Sequence, residues 1–264
     1  MRILLHPGFH KTGTSSLQRG ARARTRDLDP YLRVLLTPDI SGAARAARRY
    51  SARPSARTMA RFSEEFAAAI VRLEARDPRA LMISSEDLGG YLPGLRGVLT
   101  YHAAPALAQA AVAVLRAYFG AAAAISVLYT TRDAEPWLKS LYWQNLRAQR
   151  LTEDFETFRA RLAPAADLGG IVAETRALLG AQAEVHGRAI EACGAPPLGP
   201  LGAALDLLDL PKDHLAPLPR HNLQPEDAAA RLLALNRSGL PDGALQEAKR
   251  AVLRDHRRSA SPET

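Results

Sequence analysis

The sequence predicts an α/β protein: a three-layer αβα sandwich with a central parallel sheet. Three observations carry that expectation. Short apolar runs rich in leucine and β-branched residues alternate with longer helical patterns, the mark of βαβ units. The length of 264 residues suits one α/β core. Hydrophobic residues at 47% and charged residues at 23% match an ordinary folded domain.

In chain order, Arg2–Leu5 reads as the first strand and Ser15–Arg26 as a helix. Leu32–Thr37 is the second strand, followed by a helix over Thr58–Arg76. The strand Leu81–Ser85 leads to the helix Pro105–Phe119, within an alanine-rich stretch that Pro105, Gln109 and Arg116 keep too polar to span a membrane. Ile125–Thr131 is the fourth strand, and the helices Glu135–Gln149 and Ile171–Glu184 follow. A fifth strand is expected over Gly187–Cys193, with extension of the preceding helix as the alternative. Gly194–Gly202, with three prolines and three glycines, is expected to be a loop. Helices over Pro225–Asn236 and Pro241–Arg257 complete a single domain spanning 1–257, and 258–264 reads as a disordered tail.

Thirty-five lysines and arginines against 27 acids give a net charge of +8, which favours anionic ligands in general. Part of the excess lies at Arg19, Arg22, Arg24 and Arg26 and at Arg45, Arg48, Arg49, Arg53 and Arg57, runs that read as solvated helix faces. Few aromatics accompany them and no nucleic-acid-binding module is recognisable, so no specific nucleic-acid partner is expected. The single cysteine, Cys193, excludes an internal disulfide framework and a thiolate metal cluster within the chain. With the apolar start at Met1–Leu5 too short for a signal peptide, the expectation is a reducing, cytoplasmic setting.

The chemistry-bearing segment is Leu4-Leu5-His6-Pro7-Gly8-Phe9-His10-Lys11-Thr12-Gly13-Thr14-Ser15-Ser16-Leu17, a strand that passes through a glycine-bearing loop into a helix. Glycines let backbone amides turn inward around an anion, and the helix adds its unpaired N–H groups and positive dipole end. Lys11, Thr12, Thr14 and Ser15 supply a charge and hydroxyl donors. Gly8 and Gly13 have the spacing of the nucleoside-triphosphate loop, but Thr14 stands where that loop has lysine and the lysine is at Lys11. No strand ends in an aspartate suited to hold magnesium, which disfavours ATP and GTP.

The run His10-Lys11-Thr12-Gly13-Thr14-Ser15-Ser16-Leu17-Gln18 resembles the 5′-phosphosulfate loop of sulfotransferases that use 3′-phosphoadenosine 5′-phosphosulfate (PAPS), the bacterial members especially. The resemblance implies a P-loop-type sulfotransferase fold. It also implies that Lys11, Gly13, Thr14, Ser15 and Ser16 hold the 5′-phosphosulfate, with Lys11 assisting departure of the bridging oxygen and Gly8 and Thr12 completing the loop. A second segment, Val127 to Tyr142, feeds another strand into a helix, with Asp133 placed to cap it and Pro136 in its first turn. Arg132 falls at the strand end and Ser140 about two helical turns later. That pair resembles the family's 3′-phosphate motif. Trp137, Tyr142 and Trp143 read as core packing.

Sulfonate transfer needs a base for the acceptor's proton. Glu86, in Ser85-Glu86-Asp87 at the end of the third strand, is the first candidate and His10 the rival, while His6 reads as a strand-end hydrogen-bonding residue. Pro219-Arg220-His221-Asn222 resembles a late loop of bacterial members, without the serine that often follows the asparagine. The similarity covers the chain well to about Arg150 and the remainder in outline. It implies an enzyme that moves sulfonate from PAPS, leaving 3′-phosphoadenosine 5′-phosphate (PAP), to a hydroxyl or amine of a small-molecule or glycan acceptor, with no metal. The alternatives are a kinase or other phosphoryl transferase with a variant loop, and a catalytically silent nucleotide-binding protein.

Overall fold

Five short strands, β1 (Arg2–His6), β2 (Leu32–Leu36), β3 (Ala80–Ser84), β4 (Ala124–Thr131) and β5 (Glu184–Ala189), form one sheet in the order β2-β3-β1-β4-β5. Every neighbouring pair is parallel. The structure is a computed structural model that describes residues 1–193, 197–217 and 226–260. Side chains alternate across the sheet as the pleat requires. Ile3, Leu5, Leu81, Ile83, Ile125, Val127 and Tyr129 enter one apolar cluster, and Leu4, Ala80, Met82 and Leu128 enter the other.

The helices in chain order are α1 (Thr14–Ala23), α2 (Thr25–Leu28), α3 (Ser41–Ala52), α4 (Ala56–Ile70), α5 (Ala104–Phe119) and α6 (Ala134–Ala148). They are followed by α7 (Phe155–Leu162), α8 (Leu168–Leu179), α9 (Ile190–Cys193), α10 (Gly199–Leu207), α11 (Glu226–Arg237) and α12 (Asp242–Ala260). Leu17, Leu28, Leu201 and Leu205 of α1, α2 and α10 cover one face of the sheet. Phe62, Leu107, Trp137, Phe158, Val172 and Leu232, among others, cover the opposite face from α4 to α8 and α11. Helices on both sides of an all-parallel sheet make the expected α/β three-layer arrangement.

Several boundaries differ from expectation. The helix from Ile171 stops at Leu179, and β5 begins at Glu184 because this stretch zips onto β4 from Ser126↔Glu184 to Thr131↔Ala189. Ile190–Cys193, read as strand, turns into α9 instead. Residues 199–202, read as loop, open α10, where Pro200 occupies the first turn and Leu201 is buried. Thr58–Arg76 begins earlier and ends earlier, since Ser55 and Thr58 form a reciprocal capping box and the helix closes at Ile70. Helices α3 and α7 were not expected. α3 was hidden in an arginine run, but Ala43, Ala44, Ala46 and Ala47 give it a small-residue face that packs tightly. α12 continues to Ala260, and Arg220, Asn222 and 261–264 lie outside the described residues.

α6, one wall of the site below, is tied at its C-terminal end by the last helices. Lys249 of α12, almost fully buried, donates to the carbonyls of Leu146 and Gln149 at 2.8 Å each, and Asn236 of α11 adds a bond to Leu146 at 3.1 Å. A cation at a helix C-terminus satisfies orphan carbonyls and opposes the negative dipole end. Among the described residues no helix is long and apolar enough to cross a membrane.

Candidate functional site

The C-terminal ends of β1, β3 and β4 meet at one sheet edge, with His6 opposite Ser84 and Leu5 opposite Val127. The connection from β1 runs toward β2 and the connection from β4 toward β5, so the chain diverges between these adjacent strands. Such a crevice is where open parallel sheets bind ligands. A cleft of about 570 Å³ opens there.

The N-terminal loop is shaped by three residues with positive φ: Gly8 (54°), Lys11 (69°) and Gly13 (95°). The φ of 95° at Gly13 favours glycine, and a Cβ there would also crowd Ile190 Cδ1 at 2.7 Å. Lys11 holds the left-handed conformation without being glycine, a strain of about 1–3 kcal/mol of the kind found at ligand clamps. The amides of Ser16 and Leu17 donate to the Gly13 carbonyl at 2.9 and 3.1 Å. Those of Thr14 and Ser15, at the start of α1, have no acceptor within the helix.

His10, Lys11, Gly13, Thr14, Ser15 and Ser16 line the cleft together with Glu86, Arg132 and Ser140. Gly8 and Thr12, read from the sequence as part of the binding set, do not. Thr12 is fully buried, its hydroxyl 2.7 Å from the Phe9 carbonyl and 2.8 Å from the Thr130 hydroxyl, so it ties the loop to β4. Gly8 sits beneath the loop, where a Cβ would meet Thr14 Oγ1 at 2.7 Å and the His6 ring at 3.3 Å. His6 bonds Ser84 Oγ at 2.8 Å, and complete burial pushes its pKa down to about 4, so a neutral imidazole underlies the loop.

Lys11 Nζ donates to Gln144 Oε1 of α6 at 2.9 Å. Its pKa falls to about 8, first through burial and then through the Arg147 and Arg132 charges, while Glu86 opposes the shift. Arg132, the first residue past β4, donates to the Lys11 carbonyl at 3.4 Å, and Ser140 projects from the facing side of α6. Asp133 occupies the N-cap of α6, but its side chain makes no capping bond.

Glu86 and Asp87 stand on a 3₁₀ turn after β3. Gln18 of α1 donates to Glu86 Oε2 at 3.0 Å, and the other carboxylate oxygen has no hydrogen bond among the described residues. Asp87 pairs with Arg48 at 2.9 Å and approaches His10 Nε2 at 3.6 Å. The Tyr101 hydroxyl accepts the His10 amide at 3.0 Å and lies 3.0 Å from His10 Nδ1. Burial raises the Tyr101 pKa far above its ordinary value, so the phenol keeps its proton. His10 is thereby held between Tyr101 at Nδ1 and the Asp87 carboxylate facing Nε2.

Some residues of the cleft were not read as site residues. Arg19, Arg48, Tyr91, Leu92, Leu95, Gln144 and Ile190 line it, and so does Trp143, which is part of the core as expected and also borders the cleft. Trp137 is core as expected, but its Nε1 also donates to the His10 carbonyl at 2.9 Å. Tyr142 packs on Phe155 and Phe158. A larger groove of about 760 Å³ lies at the opposite sheet edge, where Arg2 is paired with Asp209 and Arg116 and Arg176 are tied to backbone carbonyls. Among the described residues no cluster of three His, Cys, Asp or Glu is disposed to hold a metal. The cleft thus combines helix-terminal amides, one depressed-pKa lysine, a separate arginine–serine pair and two carboxylates, an arrangement suited to a ligand with two spaced anionic groups.

The chain has no significant match among protein-family models, curated proteins or solved structures.

Proposed function

We propose that the protein is a P-loop-type sulfotransferase that moves a sulfonate group from PAPS to a hydroxyl or amine acceptor. The observation that carries this reading is the union, in one cleft, of the two segments that resemble the family's phosphate motifs, Lys11 to Ser16 and Arg132 with Ser140. In this reading the loop amides and the Thr14, Ser15 and Ser16 hydroxyls hold the 5′-phosphosulfate, and Arg132 and Ser140 hold the 3′-phosphate. The acceptor oxygen or nitrogen forms a bond to sulfur as the bond from sulfur to the bridging oxygen breaks. The acceptor's proton passes to Glu86, and PAP departs with charge on the oxygen it takes.

Lys11 supports this step by standing charged where that oxygen develops its charge, and a donor anion beside it restores the proton affinity that burial removes. Glu86 is favoured over His10 as base on hydrogen-bonding grounds. His10 Nδ1 is bonded to Tyr101 and its Nε2 faces the Asp87 carboxylate at 3.6 Å, whereas Glu86 keeps one oxygen unspent and is oriented by Gln18. Turnover of PAPS against a panel of hydroxyl and amine acceptors tests the reading. Glu86→Gln is expected to lower turnover by about 10²- to 10⁴-fold with PAP binding retained. Magnesium-dependent turnover of ATP in place of PAPS would return the cleft to phosphoryl transfer, and PAP binding with no turnover would make it a nucleotide-binding module.

A further inference from the structure

We propose that the end of the cleft beyond Glu86 is an anion subsite, and that the acceptor is an alcohol or phenol whose apolar body carries a carboxylate, phosphate or sulfate anchored by Arg48. That the reacting group is a hydroxyl rests on the sulfonate-transfer reading; the anion subsite rests on the geometry around Arg48.

Arg48 lines the cleft from α3, with Asp87 on one side and the Tyr91 ring 5.8 Å beneath its guanidinium. Its single hydrogen bond among the described residues runs from one terminal nitrogen to Asp87. A guanidinium has five N–H donors in a rigid fork that matches carboxylate or phosphate oxygens, so the pair fixes Arg48 without using its capacity. Asp87 is meanwhile shared with His10, which makes it a positioning partner for the guanidinium.

The surrounding charge points the same way. Helix α3 contains no acidic residue, and Arg45, three positions before Arg48, and Arg49 are exposed with no ion-pair partner among the described residues. Arg96, next to the lining Leu95, is likewise exposed and unpaired among them. On α4, which packs against α3, Glu64 and Glu65 are paired with Arg61. A rim of one sign beside a low-dielectric wall draws in ligands of the other.

Leu92, Leu95 and Trp143 supply that wall, and it is preformed. Asn145 donates to the Pro93 carbonyl at 3.1 Å, Gln149 to the Gly94 carbonyl at 2.8 Å, and the Tyr91 amide to Ser51 Oγ at 2.8 Å.

The test is calorimetric titration with 4-hydroxyphenylacetate and with its uncharged amide, on the free protein and in excess PAP. The acid is expected to bind about tenfold or more tighter than the amide. That preference should vanish in Arg48→Gln, persist in part in Arg48→Lys, and survive Arg132→Ala. PAP affinity should be unchanged by either Arg48 substitution. Equal affinity for acid and amide, or a preference that survives Arg48→Gln, overturns the proposal and leaves Arg48 as a structural partner of Asp87. Failure of PAP to bind overturns the donor reading alone, because the titration of the free protein still reads the subsite.

Discussion

The two strand-to-helix turns at the floor of the cleft solve the same problem in opposite ways. Between β1 and α1 the chain spends seven residues, three of them at positive φ, and presents backbone amides. Between β4 and α6 it spends two, Arg132 and Asp133, and presents side chains from the strand end and the helix. A long concave turn wraps an anion with donors that single substitutions hardly remove. A short turn delivers one guanidinium, so its selectivity rests on one residue.

Of the two turns, the larger effect is expected where the long one depends on a side chain after all. Lys11→Ala should lower sulfonate transfer by about 10²- to 10³-fold, measured as kcat, with the protein still folded. Next comes the short turn: Arg132→Ala should weaken PAP binding by about 10- to 100-fold and leave AMP binding nearly unchanged, measured by calorimetry. Equal losses for PAP and AMP would mean that Arg132 serves the loop through the Lys11 carbonyl and does not read a second anion.

Within the long turn, Thr12 is a structural residue outside the cleft. Thr12→Val should lower unfolding stability by about 1–2 kcal/mol in denaturant titration, since it removes the 2.7 Å bond to the Phe9 carbonyl and leaves the Thr130 hydroxyl without that partner, while PAP affinity holds. The smallest effect is in pH. With its pKa near 8, Lys11 is charged below that value and loses its proton above it. PAP affinity should therefore decline as pH rises through about 8, with proton uptake on binding that Lys11→Met abolishes, read by calorimetry in buffers of different ionisation enthalpy.

What the sequence revealed follows from how local each signal is. The first four strands, the loop and the helix starts near Ser15 and Glu135 were legible because glycine spacing, alternation and Pro136 act within a few residues. The difference between Thr14, which lines the cleft, and Thr12, which does not, was hidden, because it follows from the backbone reversals at Lys11 and Gly13. Arg48 looked like one more arginine of a solvated run, and only the packing of α3 beside the turn at Asp87 brings it to the site. Gln144 and Tyr101 carry no motif at all. They matter because the fold sets one 2.9 Å from Lys11 and the other 3.0 Å from His10. The early end of the helix at Leu179 is marked locally by Gly180, at φ 51°, whereas the strand from Glu184 is set by pairing with β4.

The most direct test is calorimetric binding of PAP, compared with AMP, ADP and ATP, to the native protein and to Lys11→Ala and Arg132→Ala. The account predicts binding that requires the 3′-phosphate and weakens in both variants. PAP binding no tighter than ATP, or untouched by Arg132→Ala, would contradict it.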